Sequence, residues 1–281
     1  MNLFNHEPKA VSLASTRKGQ FFYLHRYYIS IISFLSYFSF LFFLPFLGYL
    51  LFFEYQVAYF SSKNDVSSLL SFITYYSLIF IPLLMIIDIA LTGCFYVNNK
   101  LTLDIPTSIR DYFKGIKENY VRSILPSFLF GLSFYFLFLD LNYSLNMPSK
   151  IKGLQILISI IAVLQFLLVS NFYFLSLSQN ARYNLKYKDL LKNSLILSFS
   201  KFYLSIAVLL LSYLPLLVYF FAVIFTFNNV VIVVGFVILF LIYFGYSTLV
   251  LEECHQYLFD EIINRTNIIK EYRRGLLREE N

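Results

Sequence analysis

Six apolar runs constrain this chain more than any other feature. They cover residues 27–53, 69–97, 124–141, 154–177, 202–227 and 230–251. Each approaches or exceeds the roughly 18–20 residues a helix needs to cross the hydrocarbon of a bilayer. In lipid the backbone must satisfy its own hydrogen bonds, so such runs fold as helices. The charges between the runs are divided unevenly. The arm before the first run carries 4 Lys or Arg, and the second connection, the fourth connection and the tail carry 5 each. The first, third and fifth connections carry 1, 2 and 0, so 19 of the 22 basic residues fall on one side. Basic residues are retained in the cytoplasm. The sequence therefore predicts an all-α polytopic protein of the cell membrane. Its six transmembrane helices form three hairpins, and both termini are cytoplasmic.

Composition agrees with one membrane domain over residues 1–281. The chain is 59% hydrophobic with mean hydropathy +0.68, far above an average soluble domain. The longest outer connection, 54–68, is too short to fold alone, and residues 252–281 read as a cytoplasmic tail. Residues 1–26 lack the apolar core and small-residue cleavage site of a signal peptide, so the first run is expected to remain as an anchor. The net charge of +6 belongs to the cytoplasmic rim and faces anionic headgroups, which makes the bilayer a partner and excludes nucleic acid. Cys94 and Cys254 lie near the cytoplasmic ends of their runs and are expected as free thiols. Tryptophan is absent, and the 24 tyrosines are expected to supply the interfacial belt. The bias toward Phe, Tyr, Ile, Asn and Lys points to an AT-rich, low-GC bacterium.

Two basic connections share a pattern. In 105–120 the residues Ile105, Ile109, Tyr112, Phe113, Ile116 and Tyr120 recur at intervals of three and four, with Arg110, Lys114 and Lys117 on the other faces. In 187–195 the apolar face is Leu190, Leu191 and Leu195, beside Lys188 and Lys192. Both are predicted as amphipathic interfacial helices on the cytoplasmic side. Arg110-Asp111-Tyr112-Phe113-Lys114 aligns with Lys188-Asp189-Leu190-Leu191-Lys192, 78 residues on. One reading is a parallel repeat of an interfacial helix plus a hairpin. The other is that any basic cytoplasmic loop of this length looks so.

Polar residues within the runs are few. Asp88 is an acid nine residues before Val97, where burial in lipid costs roughly 2.5–3.5 kcal/mol. It is either a proton- or cation-coupling site or a structural acid paired with a basic residue or capping interfacial backbone; a single acid favours the second. Gln165 and Asn171 in the fourth run either line a path with Asp88 or bond between helices. Glu252 and His255 have the spacing of carboxylate-bridged metal sites, but those need two copies and further acids. No metal is therefore expected, and the segment reads as a charged stop. No phosphate-binding Gly loop, Ser/His/Asp set or paired Cys motif occurs, so neither catalytic residues nor a cofactor is expected, and the chain does not read as an enzyme.

The stretch Phe80-Ile81-Pro82 to Tyr96-Val97, then Asn98-Asn99-Lys100, then Asp111 to Asn119, resembles the YesL-like family of bacterial integral membrane proteins of unknown function. Tyr173-Phe174-Leu175 through Ala181-Arg182-Tyr183 and Leu190 to Ser194 extend the resemblance. At Ile87-Asp88 the chain departs from the Gly-Pro-like pair of the family pattern. The resemblance implies an accessory role in carbohydrate uptake beside a membrane-protein partner such as a transporter component, and it carries over no catalytic residue. The competing expectation is a small-solute transporter built from the repeated hairpin, with Asp88 near the path.

Overall fold

The computed structural model describes residues 19–20, 24, 28–63, 66–145, 152–200, 202–226 and 229–264. Their regular structure is helical: α1 Ile29–Ser62, α2 Val66–Tyr76, α3 Phe80–Thr102, α4 Ile109–Leu145, α5 Lys152–Arg182, α6 Tyr187–Phe199, α7 Phe202–Thr226, α8 Asn229–Ile238 and α9 Phe244–Phe259. A 3₁₀ turn, Ser77–Ile79, joins α2 to α3, and π turns at Leu239–Tyr243 and Asp260–Asn264 flank α9. Six helical segments are long and apolar enough to cross a membrane: Ile29–Ser62, Ser67–Thr102, Ile109–Leu141, Gly153–Arg182, Phe202–Tyr219 and Val234–Asn264. They match the six predicted runs one for one, and the chain is a polytopic membrane protein.

Breaks in the helices have local causes. Pro82 sits in the first turn of α3; its missing N–H and bulky ring disturb the preceding turn, which tightens to 3₁₀. The π turn before α9 shifts its hydrogen-bond ladder, and the Gly245 N–H is taken from outside by Ser36 Oγ of α1 at 2.7 Å. After α3 the chain turns in a Schellman motif: the Ile105 N–H donates to Lys100 O at 2.9 Å and the Asp104 N–H to Leu101 O at 3.1 Å. Asp104 takes the left-handed conformation there, with φ 52°. The N-terminus of α4 is then capped. Asp111 accepts from the Ser108 N–H at 2.7 Å and from Lys100 Nζ at 2.6 Å.

That cap gives the shared base-Asp-apolar-apolar-Lys pattern a local meaning. Asp111 and Asp189 each occupy the first turn of their helix, where a carboxylate meets the positive end of the helix dipole. The two segments differ in continuity. Residues 109–120, expected as part of a separate interfacial helix, run unbroken into the third span within α4. Tyr112, Gly115 and Asn119 of this stretch are buried, whereas Phe113 is 49% exposed. The face toward the bundle is thus set by contact with α3. The second segment is α6, a helix of its own.

α3 is the hub of the bundle. It packs on α1, α4, α5 and α9, and most extensively on α4. The Tyr112 ring fits over Gly93, where an added Cβ would lie 2.7 Å from two ring carbons. Around Phe80 the core is aromatic, with Phe46, Phe53, Phe134 and Phe138 at centroid distances of 5.5–5.7 Å. Toward the basic end that aromatic core gives way to polar side chains. Both thiols, Cys94 and Cys254, are free.

α1 and α9 lie close together at Gly245, where a Cβ would fall 2.1 Å from Ile32 O, a backbone atom that cannot swing aside. Gly245→Ala is expected to lower thermal stability in detergent by about 1–3 kcal/mol. Gly48→Ala, with nothing within 4 Å of the added Cβ, should leave it unchanged or slightly raised. Equal melting temperatures for the two variants would contradict the α1–α9 contact.

Candidate functional site: a buried polar seam

Asp88 is fully buried in α3. Its carboxylate accepts a hydrogen bond from Ser123 Oγ of α4 at 2.5 Å and one from Tyr173 OH of α5 at 2.7 Å. Ser123 also approaches Tyr120 O at 2.8 Å. Phe130 lies parallel to the Tyr173 ring at 4.7 Å and closes that side. One acid thus joins three helices through two neutral donors. Of the expected polar partners, Gln165 and Asn171 do not converge on it. The Asn171 amide donates to Ser198 O of α6 at 3.1 Å, and Gln165 is exposed on α5.

A second buried group runs along α9. Thr248, Glu252, Gln256, Asp260 and Asn264 recur at every fourth residue. A four-residue step advances about 40° around an α-helix, so the stripe turns from α3 toward α5. Thr248 Oγ1 accepts from the Asn98 amide at 2.9 Å. Glu252 accepts from Ser178 Oγ at 2.6 Å and from the Gln256 amide at 2.5 Å. Asp260 lies 3.8 Å from Arg182 Nη2 and accepts from the Asn264 amide at 2.9 Å. Tyr183 OH donates to Asn264 Oδ1 at 2.8 Å. On the far side of α5, the Gln179 amide reaches Ser194 Oγ of α6 at 3.2 Å, and the Asn180 amide reaches Asn119 O of α4 at 2.9 Å.

The segment expected as an exposed charged stop is therefore part of the core: Glu252, Glu253 and His255 are all buried. The His255 ring lies parallel to Phe95 at 6.4 Å, and its Nδ1 has no hydrogen-bond partner among the described residues. The helix continues because α3 meets Thr248, and α5 with the following Tyr183 meets Glu252, Asp260 and Asn264, with polar partners, so these side chains need not reach water. No group of three or more His, Cys, Asp and Glu gathers as a metal site among the described residues. The predicted tail begins inside this helix, and residues 265–281 lie outside the described ones.

Two cavities flank the bundle. One, about 370 Å³, lies between α4, α5 and α6 and includes Leu129, Ser133, Gln165, Phe172 and Phe199 in its lining. The other, about 390 Å³, includes Phe52, Gln56, Phe60 and Tyr75. Asp88 lines neither. No family model, curated protein or solved structure matches the chain.

Sequence reading singled out Asp88 but missed Ser123 and Tyr173, its donors. Hydroxyls are common in apolar helices, and neither stands out without knowing which helices touch. The every-fourth-residue stripe on α9 was the available signal for the second group.

Substitutions at Asp88 and at Arg182 separate the roles of these groups. Asp88→Asn is expected to fold, since an amide can bond both hydroxyls, whereas Asp88→Leu strands Tyr173 OH and costs about 1–3 kcal/mol. Thermal melts of both, compared with the natural chain, check this; a Leu variant as stable as the Asn variant would contradict it. Arg182→Met removes one side of a pair whose side chains are only 1% and 7% exposed, and a loss of roughly 3 kcal/mol is expected. The double variant Arg182→Met/Asp260→Leu should recover part of that loss in the same assay.

Proposed function

We propose that this membrane protein is a non-enzymatic accessory component that binds another membrane protein, such as a transporter component, at its basic rim. The observation that carries the reading is the exposure of Arg110, Lys114 and Lys117 on α4 and of Lys188 and Lys192 on α6. Among the described residues the acids Asp88, Glu252, Glu253 and Asp260 are instead buried within the bundle. Lys114 is exposed, beside Tyr96 and in an i,i+4 pair with Glu118 at 3.8 Å, and such exposed contacts are weak. The rim is thus available to an acidic partner surface or to anionic headgroups.

In this reading the spans form three hairpins with both termini in the cytoplasm of a bacterial plasma membrane, as the division of 19 against 3 basic residues favours. The helix starts at Ile109 and Tyr187, 78 residues apart, support a repeated unit in which α4 answers to α6 plus α7. The amphipathic first turns of α4 and α6 lie at the inner surface. The resemblance to YesL-like proteins supports a link to carbohydrate uptake. Purification in mild detergent tests the reading. A transporter component should copurify, and the triple reversal Lys114→Glu/Lys188→Glu/Lys192→Glu should release it without lowering the melting temperature. A chain that copurifies with nothing, or a reversal that retains the partner, would overturn it.

The alternative is a small-solute transporter with Asp88 near the path. Its support is an acid inside a span that ties three helices, since intramembrane acids commonly mark pathways. Asp88→Asn separates the two: unchanged stability with lost uptake favours transport, and unchanged growth and uptake favours the accessory role.

A further inference from the structure

Gln165 presents a problem that the rest of the bundle does not solve. It lies eleven residues after Leu154 and twelve before Leu177, so about 16–18 Å of helix separates it from either end of the apolar run. It is exposed among Ile160, Ile161, Val163 and Leu164, and it forms no hydrogen bond among the described residues. Only 11% of the apolar window of this span is buried, against 39–44% for the first two. An amide facing hydrocarbon without a partner is costly. Headgroups cannot relieve it, because the polar surface of the bilayer lies about 15 Å from the midplane.

A second observation falls at the same depth. Ser133 of α4 lies midway along the run 124–141, is 4% exposed, and its hydroxyl has no hydrogen-bond partner. Gln165 and Ser133 line the same groove of about 370 Å³, whose other walls are chiefly Leu, Val and Phe. An apolar groove with two unsatisfied polar groups at mid-membrane fits a transmembrane helix that brings a polar side chain to that depth.

We propose that the occupant is a second copy of this chain, docked through the face of α5 that carries Ile161, Gln165 and Leu168. Copies inserted in the same direction place the same amide at the same depth. A two-fold axis along the membrane normal brings the two Gln165 side chains together, and an amide is self-complementary, since each donates and accepts one bond. The Ser133 hydroxyl offers the entering amide a further partner. The apolar ridge of one α5 fills the groove of the other copy. This pairing uses the middle of the spans and leaves the basic rim free, so it stands independently of the partner proposed above.

The test uses the full chain in native membranes and in mild detergent. Light scattering of the purified protein is expected to give a protein mass twice that of the 33.1 kDa chain. Ile161→Cys, one turn from Gln165 on the same face, should give an oxidant-induced dimer band well above that of the natural chain. Val163→Cys, on the opposite face, should not. Gln165→Leu should melt like the natural protein, because it loses no bond within the chain, yet weaken dimerisation about threefold to tenfold; Ser133→Ala should weaken it less. A monomeric natural protein, equal cross-linking at 161 and 163, undiminished dimers in the Leu variant, or a cross-linked band containing a different protein would each overturn the proposal.

Discussion

Between helices in lipid there is no hydrophobic drive to associate, because the tails they leave are as apolar as the side chains they meet. The bundle therefore rests on close backbone approach and on hydrogen bonds, and α3 supplies both. Gly93 admits the Tyr112 ring, so α4 can lie against α3 along its length. Asp88 then finds donors on α4 and α5 at once. The other helices take their places relative to this unit: α1 touches α3 through Ser39 and Cys94, and α9 touches it through Thr248 and Asn98.

The two ends of the bundle are built from different chemistry. Around Phe80 the contacts are aromatic and tolerate some sliding of rings. Toward the basic end they are directional, and each α9 turn from Thr248 to Asn264 is tied to a stated partner or to its own stripe. An acid such as Glu252 is tolerated there because Ser178 and Gln256 replace the water it gave up. This seam also explains why the sixth helix does not end where its charges begin.

The number of spans, the apolar centre of each and the uneven division of basic residues between the connections were legible in the sequence; the limits were not, since the first, third and sixth helices run about ten or more residues past the apolar runs. The legible features follow from one-dimensional quantities: the length of an apolar run set against bilayer thickness, and the count of charges between runs. The start of α6 at Tyr187 was legible too, whereas α4 begins at Ile109, four residues after the expected 105, because Ile105 belongs to the turn that ends α3. What remained hidden depended on which helix touches which. Tyr112, read as one of several apolar residues on a surface helix, is buried because Gly93 stands opposite it on another helix. Glu252 and His255 are charged residues after an apolar run, and only the neighbouring α5 and α3 make them core.

For this protein, then, the sequence by itself determined an all-helical, six-span chain, because insertion in lipid is decided segment by segment. The tertiary structure decided what its polar residues are for. It separated Asp88, enclosed by Ser123 and Tyr173, from Gln165, left exposed on α5, although both are polar residues within apolar runs. The physical reason is that a buried polar group is stable only with a partner within hydrogen-bonding distance, and such partners come from helices distant in sequence.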